Sequence, residues 1–164
     1  MSTDLGILED GHQLHLFDRL PQYRTTLICE KKHAYPTRLQ VRSPEDIAIV
    51  LSDYFNDRDR EEFLVLALNT ANILTSFTVA SIGGLSSSIV EPRVVFRFAF
   101  NANAASIILA HNHPSDNAEP SREDIRITRQ LVETGKVVGV PVNDHLIVTS
   151  TSYTSLAERG LISP

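Results

Sequence analysis

The chain has 164 residues, 42% hydrophobic and 21% charged, a balance that excludes a disordered or fibrous protein and leaves room for one domain with an ordinary core. No run approaches the roughly 18 apolar residues of a membrane helix, and the start, MSTDLGILEDG, lacks the basic and apolar stretches of a secretion signal, so a cytoplasmic location is expected. A net charge of -5 weighs against nucleic-acid partners, which draw affinity from Lys and Arg on phosphates, and a lone Cys29 rules out an internal disulfide or a cysteine metal cluster.

Residues 1–36 read as an arm or tail ahead of a domain over 37–164. Within the arm, Tyr23 to Glu30 (YRTTLICE) is β-branched enough for an added edge strand, and His12, His15 and His33 read as surface residues. Ser43-Pro44 is a helix start, with Ser43 at the cap, and IAIVLSDYF supplies the apolar stripe of a helix over about 44–56. EFLVLALN (62–69) and ILTSFTVAS (73–81) flank a short turn and predict an antiparallel hairpin ended by Gly83-Gly84. A second helix fits Glu91 to about Ala102, and ASIILAH (105–111) is a continuous apolar run of the kind buried on both faces of a sheet. After the polar stretch HNHPSDNAEPSRED, a third helix is expected from Ser121 to about Thr134, with Gly135 at its end. VPVNDHLIVTS predicts a last strand, followed by a short helix around Ser155 to Arg159. The order implies an α/β fold with a mixed central sheet and helices packed on it. Arg122, Arg126 and Arg129 would share one side of the third helix, as a small basic patch or a solvated face.

Chemistry concentrates where the buried run meets the polar loop, the usual place for a site in an α/β sheet. His111 and His113 lie two apart, so extended chain points both imidazoles to one side. Asp124, at the start of the next helix, can bring a carboxylate to the same place. Two histidines and one carboxylate form a known catalytic zinc set, and zinc lowers the pKa of water toward about 7. Other first-row metals also accept such donors. Each histidine alone is equally compatible with a loop residue bonded to backbone, and Ser121-x-x-Asp124 is also a capping-box pattern.

His111-Asn-His113-Pro-Ser115, with seven residues between His113 and Ser121, then Ser121-x-x-Asp124 resembles the motif of JAMM (MPN+) metalloproteases. REEF at 60–63, LAHNHPS, PSxxDI and LVExGxxxGxPVxDHLIV are similar, more closely, to the RadC-like JAB-domain family, over roughly Thr37 to Gly160. The resemblance implies a cytidine-deaminase-like α/β sandwich, zinc on His111, His113 and Asp124, and a hydrolytic water. Deubiquitinating and other isopeptide-cleaving enzymes share the motif. Carried over by position, the family's upstream glutamate becomes Glu61, with Glu62 as the fallback, in the role of general base. Ser121 would support the oxyanion. Asp144-His145 matches the family's Asp-His pair, which could orient a ligand or simply be satisfied by its neighbours. The chain departs from the family at Asp116, where many relatives have glycine, and at Glu91-Pro92-Arg93-Val94, where His-Pro-Arg-Glu is common. Longer relatives carry an N-terminal helix-hairpin-helix-like region, for which these residues offer no counterpart.

The expected function is therefore a zinc-dependent hydrolase acting on a peptide or isopeptide bond of a protein or peptide substrate. Its rivals are a scaffold module without turnover and, given the family's DNA-repair label, an enzyme acting on nucleic acid.

Overall fold

Pro44 opens helix α1 (Pro44–Phe55), where its missing N–H costs nothing, and the Asp46 carboxylate accepts from the N–H groups of Arg42 and Ser43 at 2.8 and 3.0 Å. The apolar stripe Ile47, Ala48, Leu51 and Phe55 is buried. These features come from a computed structural model that describes residue 28 and residues 39–83 and 90–163. Apart from Ile28, the predicted arm and the edge strand at Tyr23 to Glu30 lie outside the described residues, as do His12, His15 and His33.

Strands β1 (Glu62–Leu68) and β2 (Leu74–Ile82) form the expected antiparallel hairpin. Asn69 shapes its turn, its side-chain oxygen accepting from the N–H groups of Ala71 and Ile73. Then follow α2 (Pro92–Asn101), β3 (Ser106–Asn112), α3 (Arg122–Val138), β4 (Val142–Val148) and β5 (Tyr153–Ser155). The sheet order is β2-β1-β3-β4-β5, parallel only between β3 and β4, which α3 connects as a crossover. The sheet is mixed, as the sequence predicts.

Alternation along the strands divides the core into two layers. Leu64, Leu66, Leu68, Ile108 and Ala110 pack with α1 on one face. Phe63, Val65, Ile107 and Leu109 pack with α2 and α3 on the other. Covering on both faces explains why every residue of β1 and β3 is buried.

Two boundaries differ from expectation. Helix α3 runs past Gly135 and ends at Gly139, whose φ of 75° gives the left-handed cap that glycine adopts most readily. Gly135 lies inside the helix for a different reason: a Cβ there would sit 2.6 Å from the Val140 carbonyl oxygen. The second difference is at the C-terminal end, where the expected helix over Ser155 to Arg159 is replaced by β5 and a turn. Tyr153, Thr154 and Ser155 pair with Val148, Ile147 and Leu146. The buried Asp144 carboxylate accepts from Ser155 Oγ and the Ala157 N–H, fixing the turn. An α-type bond from the Arg159 N–H to the Ser155 carbonyl remains, beside turn bonds from the Gly160 N–H to the Ala157 carbonyl and from the Leu161 N–H to the Leu156 carbonyl. Partners distant in sequence outweigh local propensity here.

Candidate metal centre

Strand β3 carries Ile107, Leu109 and His111 on the face covered by α2 and α3, so the period that fills the core also sends the His111 imidazole into it. The Phe63 ring stacks on that imidazole with centroids 6.1 Å apart. Just beyond the strand, His113 is held by its N–H to the Val148 carbonyl, and the chain turns through the Asp116 N–H bonded to the His113 carbonyl. Asp116 has φ of 59°, a left-handed conformation that Asp tolerates better than most residues. Its carboxylate accepts from both the N–H and the Oγ of Ser150. The substitution at this glycine position therefore ties the loop to the β4–β5 turn. Helix α3 then delivers Asp124 from its first turn, buried.

His111 Nε2 lies 3.0 Å from His113 Nε2 and 3.4 Å from Asp124 Oδ1, and His113 Nε2 lies 3.7 Å from Asp124 Oδ2. A tetrahedral ion with bonds of about 2.0–2.1 Å needs donors roughly 3.3 Å apart, and the three side chains offer one ligand atom each within 4.8 Å of one another, close enough to converge on one ion. Their tautomers also suit a cation. His113 Nδ1 meets the Asn117 carbonyl at 2.7 Å, an acceptor only, so the proton belongs on Nδ1 and Nε2 is left as a lone pair. Asp124 Oδ2 accepts from the Ser121 N–H at 2.7 Å, which fixes the carboxylate with Oδ1 toward His111. The group can hold a metal ion.

A second layer of bonds orients His111. Its Nδ1 lies 2.8 Å from Nε2 of the buried His145, and His145 Nδ1 meets Thr128 Oγ1. Thr128 Oγ1 in turn donates to the Asp124 carbonyl. With that proton committed, His145 donates to Thr128, His111 donates to His145, and the His111 Nε2 lone pair faces the metal position. The relay begins on one ligand and ends on the backbone of another. Asp144 does the other work of the Asp-His pair, gripping the turn after β5; burial raises its carboxyl pKa despite three hydrogen bonds.

Burial pushes the His111 imidazole down to about 4, which the Asp124 charge opposes and His113 reinforces. Burial, with His111 and His113 adding, also holds His145 well below the usual 6.5. Both therefore protonate more readily in the unfolded chain. Their contribution to stability in the metal-free protein should be complete above pH 6.5 and lost as pH falls toward 4. Thermal unfolding of metal-stripped protein at about pH 7.5 and about pH 5 checks this: the melting temperature should be lower at the acid value.

The two candidate glutamates separate by alternation. Glu62 carries its carboxylate to the α1 side, accepting from Tyr54 Oη at 2.9 Å and lying 3.4 Å from Arg58. Phe63 pairs with His111 on the metal face at the end of the β1–β3 ladder, and Glu61 stands two residues before Phe63, just ahead of β1. Glu61 is half-buried and does not join the ligand cluster, whose donor atoms lie within 4.8 Å of one another. Ser121 Oγ accepts from the Asp124 N–H as an N-cap, so capping uses its lone pair and leaves its proton to donate elsewhere.

Thr128 and Asn112 were not legible as site residues. Thr128 had a signal, being one turn after Asp124 on the buried stripe of α3. Of the three arginines on that helix, Arg126 pairs with Glu123 and Arg129 reaches the Leu161 carbonyl. Among the described residues no helix is long and apolar enough to cross a membrane.

Comparison with known proteins gives the family. A family model described as RadC-like JAB domain matches residues 41–161. The UPF0758 protein of Salinibacter ruber is 54% identical over 133 residues, 81% of this chain and 57% of that relative. Those of Desulforamulus reducens and Moorella thermoacetica are 47% and 46% identical over 126 residues, 77% of this chain and 56% and 55% of theirs. The chain thus spans little more than half the length of the curated relatives it matches. The five-stranded mixed sheet with three helices is consistent with a JAB/MPN fold. By sequence, the chain belongs to the RadC-like JAB domain family.

Proposed function

We propose that the protein is a zinc-dependent hydrolase that cleaves a peptide or isopeptide bond. The observation that carries this reading is the meeting of His111, His113 and Asp124, which offer one ligand atom each within 4.8 Å of one another. Three protein donors is the number catalytic zinc sites use, whereas structural sites close with four. When bound, zinc would polarise the scissile carbonyl and make water acidic enough to attack near neutral pH.

The chain's own groups supply the rest. His113 and His111 are each held with Nδ1 protonated and Nε2 free, so both donate without first losing a proton. Glu61, on the Phe63 face, accepts the proton of the attacking water and passes it to the leaving amine. The Ser121 hydroxyl donates to the charge that builds on the carbonyl oxygen. A protein or peptide substrate suits the acidic chain better than a nucleic acid does. The change at Asp116, the one departure within the loop motif, is accommodated by Ser150 and gives no support to a module without turnover.

A panel of fluorogenic peptide and isopeptide substrates, assayed with zinc-loaded wild type and Glu61→Gln, tests the proposal. Cleavage by wild type and a loss of about 100-fold or more in the variant, at equal metal content, is expected for removal of a general base. Equal rates in the two proteins, or no cleavage by either, would count against it.

A further inference from the structure

Asn112 separates the two histidine ligands, yet its carboxamide turns sideways toward the chain that enters β1. Its Nδ2 donates to the Arg60 carbonyl at 2.9 Å, and its Oδ1 accepts from the Glu62 N–H at 2.7 Å. These two backbone groups flank Glu61. The backbone ladder between β1 and β3 ends at the Phe63–His111 pair, so the side chain takes over where strand pairing stops. From the other side the Gly83 N–H donates to the Glu61 carbonyl at 2.8 Å. The main chain of residue 61 is thus held at three successive points, just after an exposed run over residues 56–60.

We propose that Asn112 is a positioning residue that aims Glu61 at the metal site, an inference that rests on reading Glu61 as the base. Glu62 is turned to Tyr54 and Arg58, and with the main chain pinned on both sides of Glu61, alternation carried back from β1 sends Glu61 to the face on which Phe63 stacks against His111. One tripeptide, His111-Asn112-His113, then sets both the metal ligands and the approach of the base. The role needs an amide. Aspartate keeps the acceptor for the Glu62 N–H but has no donor for the Arg60 carbonyl, and alanine has neither. Asn112 is buried, and its bond to the Glu62 N–H lies away from solvent, so its loss leaves that donor unpaired.

The test uses the full chain loaded with cobalt(II), whose visible absorption is followed against pH in wild type, Glu61→Gln, Asn112→Ala and Asn112→Leu, with metal content measured in parallel. Glu61→Gln should shift the pH midpoint by about 1 unit, through loss of a nearby carboxylate. Asn112→Ala should reproduce that shift while still binding one ion per chain, and the neutral Asn112→Leu should move in the same direction. A wild-type midpoint in either Asn112 variant alongside a shifted Glu61→Gln would overturn the positioning role. An unshifted Glu61→Gln would instead remove the base, and the inference with it. Should Asn112→Ala not fold, Asn112→Leu decides, since its side chain is close in size, carries no charge and lacks both bonds.

Discussion

Replacing His145 with phenylalanine should weaken metal binding by about 10- to 100-fold, the usual cost of losing a group that orients a metal-bound histidine. The ring would still fill the buried space between Phe63 and Thr128. What disappears is the acceptor for His111 Nδ1–H, and with it the force that keeps the His111 Nε2 lone pair toward the metal position. Nothing else in the relay restores it, because Thr128 already donates to the Asp124 carbonyl. Thr128→Val should act in the same direction and more weakly, since it leaves the His111–His145 bond in place. Competition against a chromophoric chelator measures both. Wild-type affinity in His145→Phe would mean that packing alone orients His111.

Gly135→Ala should destabilise the fold by about 1–3 kcal/mol, as overpacking does in a rigid interior. Alanine is favoured over glycine in a helix by about 1 kcal/mol, which pulls the other way. Space decides the sign. The new Cβ would lie 2.6 Å from the Val140 carbonyl oxygen and 3.4 Å from the Val142 backbone nitrogen, neither of which moves like a side-chain tip. Yielding would shift the connection that seats Val142 beside Ile107, between the helix bearing Asp124 and the strand bearing His145. The melting temperature should fall by several degrees in thermal unfolding. A melting temperature at or above wild type would show that the α3–β4 turn relaxes freely.

Much of the layout was legible because local signals and tertiary demands agree. Pro44 and the stripe behind it mark α1, and the apolar run before His111 marks a strand covered twice. The histidine pair stood out through strand alternation, and Asp124 through its place at a helix start. Local signals misled where a distant partner rules. Ser155 to Arg159 reads as a helix until the Asp144 carboxylate and the β4 edge claim Ser155 and Ala157. Gly135 reads as a stop, whereas its lack of a side chain answers the close approach of Val140. Asn112 could not be singled out at all, since its partners Arg60 and Glu62 are 52 and 50 residues away and meet it only through the β1–β3 register. Asp116 reads as a departure from a glycine position; only its φ and its bonds to Ser150 show how the loop accommodates it.

The central claim, that His111, His113 and Asp124 hold one metal ion, is tested most directly by elemental analysis of protein purified without a histidine tag or added metal. Wild type should carry close to one zinc per chain, and the double variant His111→Ala, His113→Ala almost none while remaining folded. A well-folded wild type that takes up no metal even after incubation with zinc would contradict the claim and leave Ser121 and Asp124 as the cap of α3.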